Sequence, residues 1–103
     1  MNDISLAARD ARSVAEIATP NASRYLQQLC RHFTHKCPVT FDDRTGRIGL
    51  VAGDCILAAR DDVLEISVTA SDPARLQQLQ GVIARHLLRF SFREDLAFDW
   101  RPL

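Results

Sequence analysis

Val63-Leu64-Glu65-Ile66-Ser67-Val68-Thr69-Ala70-Ser71-Asp72-Pro73 decides the fold. Its first eight residues alternate. Leu64, Ile66, Val68 and Ala70 point to one face, and Glu65, Ser67 and Thr69 to the other, the pattern of a half-buried strand. Ser71-Asp72-Pro73 then ends the strand and opens a helix. Leu76, Leu79, Ile83, Leu87 and Phe90 follow at helical spacing and make one apolar stripe.

The same grammar extends upstream. Cys55 to Arg60 reads as a strand joined to Val63 by an Asp61-Asp62 turn. Arg47 to Val51 is the strand before it, with Ala52-Gly53-Asp54 as the turn. Val39 to Asp42 is earlier still, with Arg44-Thr45-Gly46 turning the chain and Gly46 free to take positive φ. Pro38 closes a first helix that opens at Thr19-Pro20, with Thr19 as cap. Its stripe is Ala22, Tyr25, Leu26, Leu29, Cys30 and Phe33. Ser13 to Thr19 is a strand of modest quality. At the other end, Leu96 to Arg101 reads as a final strand with Leu96, Phe98 and Trp100 on one face.

The order is β-α-β-β-β-β-α-β. Each strand has one apolar face and each helix one apolar stripe, so the economical fold is α+β, with two helices packed on one face of an antiparallel sheet. The other face would carry Thr40, Asp42, Glu65, Ser67, Thr69, Asp99 and Arg101, open and mildly polar. Residues 1–10 lack periodicity and read as a loose lead-in; residues 11–103 form one α+β domain.

The formal net charge of the 103 residues is zero. That argues against sequence-independent nucleic-acid binding, which needs clustered phosphate-neutralising charge. No apolar run approaches the ~18 residues of a membrane span, and no basic start precedes an apolar run as in a signal peptide. The expected compartment is the cytoplasm, where the three cysteines would be free thiols.

Chemistry concentrates in Cys30-Arg31-His32-Phe33-Thr34-His35-Lys36-Cys37. At ~100° per residue Cys30 falls inside the apolar arc, His32 at its edge and His35 on the wetter side. His86 holds the same edge position on the second helix, and Cys55 shares a strand face with Leu57 and Ala59. Cys30, His32, Cys55 and His86 could therefore surround one groove and ligate a transition metal, the one cofactor this pattern suggests. Cys37 beside His35 is the only local candidate for an activated thiol. Arg24, Arg31, Arg85 and Arg89 lie on outer helix faces as a basic surface. The chain has no glycine-rich phosphate loop, and Asp42-Asp43 and Asp61-Asp62 read as turns.

Arg24-Tyr25-Leu26-Gln27-Gln28-Leu29-Cys30-Arg31-His32-Phe33, then Gly53-Asp54-Cys55, then Ala84-Arg85-His86-Leu87-Leu88-Arg89-Phe90 resemble a bacterial family, number 2218 among the domains of unknown function. The resemblance runs from about Ala15 to Arg101. It implies small stand-alone cytoplasmic proteins, and for some relatives an association with iron acquisition. It brings no activity. Cys30, His32, Cys55 and His86 match typical family positions, whereas Cys37 departs from the pattern.

Three readings follow. The chain is a small binding or interaction protein, using the open sheet face or the inter-helix groove for a small ligand or a second copy of itself. Exposed Val51, Ile56 or Ala58 would favour the homodimer. Alternatively it binds a transition metal through Cys30, His32, Cys55 and His86, or it is a thiol enzyme or redox protein using Cys30, Cys37 or Cys55. No complete catalytic set is visible, so the first reading leads.

Overall fold

The computed structural model describes residues 10–103; all but the last residue of the expected lead-in lies outside them. The elements are β1 (Ala11–Ala18), α1 (Ala22–Phe33), β2 (Val39–Phe41), β3 (Thr45–Gly49), β4 (Gly53–Arg60), β5 (Val63–Ala70), α2 (Pro73–Phe90) and β6 (Arg101–Pro102). The six strands form one sheet in the order β2-β3-β4-β5-β1-β6, antiparallel at every pairing.

Register explains the core. Leu64, Ile66 and Val68 of β5 stand opposite Ile17, Ala15 and Ser13 of β1, and opposite Ala59, Leu57 and Cys55 of β4. Directly opposed residues share a face, so these side chains form one surface, which continues through Ile48 and Gly46 of β3. Both helices press on it. Every residue of the α1 stripe is buried, as are Leu79, Ile83 and Leu87 of α2. α1 covers β2 to β4 and α2 covers β5 and β1. The helices run antiparallel where they meet: Phe33 lies against His86, and Tyr25 bonds to Glu94 beyond the end of α2.

Among the described residues, no helix covers the other sheet face. Ile56 is half exposed there. Around it, Glu16 is shared by Arg60 and Arg101, and Arg60 also pairs with Glu65.

Four local expectations need correcting. Gly46 is not a turn residue but lies within β3. The turn is built by Asp42, whose Oδ1 accepts the N–H groups of Arg44 and Thr45 at 2.8 Å. Gly46 lacks a side chain for another reason: a Cβ there would sit 2.6 Å from Cys30 Sγ. Val51 lies in the β3–β4 turn rather than on a strand, because Leu50 and Gly53 exchange backbone hydrogen bonds around it. Gly53 has φ +156, and a Cβ would collide with the Thr69 carbonyl oxygen at 2.0 Å. Thr19 does not cap α1. The residue before the helix is Asn21, which makes no side-chain cap, because both polar side chains are drawn to Glu94. Finally, the last strand shrinks to Arg101–Pro102. Leu96, Phe98 and Trp100 pack against the core as expected, but the segment reaches it without pairing to β1 until Arg101 stands opposite Val14. The α2 start needs no correction, since Asp72 Oδ1 accepts the Arg75 N–H at 2.8 Å.

Candidate functional site

The groove between the helices brings together residues that the sequence scatters. One end of it is a partly buried hydrogen-bonded node. Glu94 is fixed by a turn in which its N–H donates to Ser91 O at 2.8 Å. Its carboxylate accepts from Thr19 Oγ1 at 2.7 Å, from Asn21 Nδ2 at 2.6 Å and from the Tyr25 hydroxyl. Those bonds, Tyr25's first, hold the Glu94 carboxyl below its ordinary value. Burial, then the Glu94 bond, raises the Tyr25 phenol. Above the node opens a cleft of about 410 Å³ lined by Asn21, Arg24, Tyr25, Phe90, Phe92, Arg93 and Glu94. Phe92 is 77% exposed, and the Arg93 guanidinium stands 5.4 Å above its ring centre.

Further along the groove, His32 and His86 face each other with ring centres 4.8 Å apart. Phe90 lies 5.8 Å from His32 and Phe33 4.9 Å from His86. His86 Nδ1 is 2.7 Å from Val82 O. A carbonyl only accepts, so Nδ1 is the donor in this bond and Nε2 is the ring nitrogen left without a partner in it. Desolvation first, then the charges of His86, Lys36, Arg89 and His35, holds His32 below the ordinary imidazole value.

The cysteines part from the histidines. Cys30 and Cys55 are fully buried within the core cluster. Burial pushes the Cys30 thiol up to about 11. Cys55 is raised by burial, then by Cys30 and Asp54, and both cysteines belong to the core cluster between the sheet and the helices. Cys37 is half-buried past the helix end. Among the described residues, no three His, Cys, Asp or Glu side chains gather where they could hold one metal ion. Sequence reasoning paired His32 with His86 correctly as groove neighbours but missed Glu94. Nothing local marks Glu94; its partners lie 69 to 75 residues away.

Charge divides the molecule. Neither helix contains an Asp or Glu. On the sheet, Arg47, Arg60 and Arg101 each pair with an acid. Among the described residues, Arg24, Arg31, Lys36, Arg85, Arg89 and Arg93 form no ion pair. The helix layer is therefore a cationic surface on a neutral protein.

The architecture is that of a small α+β protein with two helices on one face of an antiparallel sheet and a cationic, aromatic groove between them. The chain belongs to the family described as "Uncharacterized protein conserved in bacteria" (DUF2218), whose pattern matches residues 14–101. It is similar to a protein solved by NMR, PA4090 from Pseudomonas aeruginosa, at 32% identity over 88% of this chain and 95% of that one, with a TM-score of 0.75. Comparison with curated proteins gives no match. Among the described residues, no helix is long and apolar enough to cross a membrane.

Proposed function

We propose that this is a small binding protein whose inter-helix groove takes an anionic ligand carrying an aromatic or flat apolar group. One observation carries the reading. Glu94, the one acid lining the cleft among the described residues, stays anionic with its oxygens engaged by three neutral donors, whereas two guanidinium groups, Arg24 and Arg93, flank it without an ion pair, so the cleft carries one net positive charge. A guanidinium recognises carboxylate, sulfonate or phosphate with two parallel donors. Phe90 and exposed Phe92 supply ring faces for an apolar body. A hollow of about 640 Å³ at the β3–β4 side of the sheet is larger, but its lining of Arg44, Thr45, Ala58, Ala59, Arg60 and Asp61 holds no aromatic. Its Arg60 is already paired twice.

The three free thiols support a reducing, cytoplasmic setting. Half-exposed Ile56 on the uncovered sheet face favours, as a second reading, self-association through that face; a mass that stays monomeric at high concentration would remove it.

The test is fluorescence titration with 8-anilinonaphthalene-1-sulfonate as probe. Replacing Arg24 or Arg93 by Gln should weaken binding about tenfold, the loss of one charge-assisted hydrogen bond of ~1.5 kcal/mol. Raising salt should weaken it further. Equal binding by wild type and the Arg24→Gln/Arg93→Gln double variant would refute the reading.

A further inference from the structure

From the geometry we infer that His32 and His86 form a two-imidazole site for a late first-row divalent metal (copper, nickel or zinc), open on its remaining positions and independent of the buried cysteines. Two imidazoles bound side by side to one metal, at about 2.0–2.1 Å from each nitrogen, place their ring centres roughly 4.5–5.1 Å apart for bond angles between square and tetrahedral. The ring centres here are 4.8 Å apart before any metal binds. The rings sit on opposite walls of the groove, one on each helix and tilted 49° to each other, so side-chain rotation alone would be needed to turn a nitrogen of each toward a shared metal. His86 Nδ1 faces Val82 O at 2.7 Å, so Nε2 is the nitrogen that would ligate, the outer-shell arrangement that metal-binding histidines use. Imidazole nitrogen suits these metals better than magnesium or calcium, which take oxygen.

The thiols do not join. Cys30 and Cys55 lie in the core beneath α1, and burial disfavours the thiolate that a metal would need. With two protein ligands, the metal keeps positions for water or for an anionic donor. Lys36, Arg89 and His35 nearby oppose a dication, but all three are exposed and screened by salt. The site stands whether or not the neighbouring cleft binds an anionic aromatic ligand, because the metal is tested alone.

The experiment titrates untagged, chelator-treated full-length protein with Ni²⁺, Cu²⁺ and Zn²⁺ separately. Binding is followed by calorimetry and by the ¹⁵N shifts of the imidazole rings. One metal per chain is expected, with both His32 and His86 nitrogens shifting on Zn²⁺ and broadening on paramagnetic Cu²⁺ or Ni²⁺. His32→Gln and His86→Gln should each weaken binding by about 100-fold, at least the loss that removing even an outer-shell partner produces. Both positions are at least partly exposed, so the variants should keep the wild-type circular dichroism. Cys37→Ser should leave binding unchanged. No stoichiometric binding by any of the three metals, binding that survives both histidine substitutions, or binding lost only with Cys37 would each overturn the inference.

Discussion

Replacing Gly46 by Ala probes whether Cys30 belongs to the core or to a site. Within a strand, Ala would ordinarily be the better residue by roughly 0.5–1 kcal/mol, since Gly loses more freedom on folding. Here the added Cβ meets Cys30 Sγ at 2.6 Å, Leu26 Cδ2 at 3.3 Å and Phe41 Cβ at 3.4 Å. Cys30 is fully buried on a helix, where one of its staggered side-chain positions clashes with the preceding turn. Overpacking of this kind costs ~1–3 kcal/mol, which outweighs the propensity gain. Gly46→Ala should therefore destabilise by about 1–2 kcal/mol, or roughly 4–16 °C in Tm for a domain of this size. Cys30→Ala removes the sulfur and opens a small void, a cost of its own. In the double variant the new methyl group enters the vacated space. A double-mutant cycle by urea denaturation should show coupling of about 1 kcal/mol or more in the favourable direction. Additivity within ~0.5 kcal/mol, or a Gly46→Ala protein more stable than wild type, would refute the packing argument.

Three further outcomes are expected. Alkylation at neutral pH should label Cys37 in the native protein and reach Cys30 and Cys55 only after denaturation, since both are fully buried with raised thiols; native labelling of either core thiol at the Cys37 rate contradicts this. Glu94 has a depressed carboxyl, so its contribution to stability is present above the ordinary value of 4.5 and is lost as pH falls through its lower folded value; in urea melts across that window Glu94→Gln should flatten the acid limb, and an unchanged limb would remove Glu94 as a cause. Asp72→Ala should lower Tm by a few degrees through loss of the Arg75 cap, whereas Asp72→Asn should recover most of it; equal melting of all three proteins would deny the cap.

The layered fold was legible because periodicity reports burial. The α1 stripe and the β5 alternation name the same residues that the core contains. The start of α2 at Ser71-Asp72-Pro73 was legible because helix-start signals are local. Gly46 was misread because a turn and a close approach both select glycine, and only the position of Cys30 tells them apart. Thr19 was misread because a hydroxyl that could cap a helix can equally donate to a carboxylate 75 residues away. The final strand was overextended because alternation shows which side chains turn inward, not whether the backbone pairs. The groove was half legible. Equivalent edge positions on two helices brought His32 and His86 together, but helical spacing also drew Cys30 into the same set although its side chain faces the sheet. The cationic helix layer was visible as arginines; its meaning depended on where the acids went, which is a property of the folded sheet.

The central claim is that the groove between α1 and α2, and not the open sheet face, is the recognition surface. The most direct test is amide chemical-shift mapping during titration with 1-naphthalenesulfonate, with neutral naphthalene as control. The account predicts saturable shifts clustered at Arg24, Tyr25, Phe90, Phe92 and Arg93, absent or far weaker with naphthalene. Shifts centred instead on Thr40, Arg47 and Ile56, or no saturable shifts at all, would contradict it.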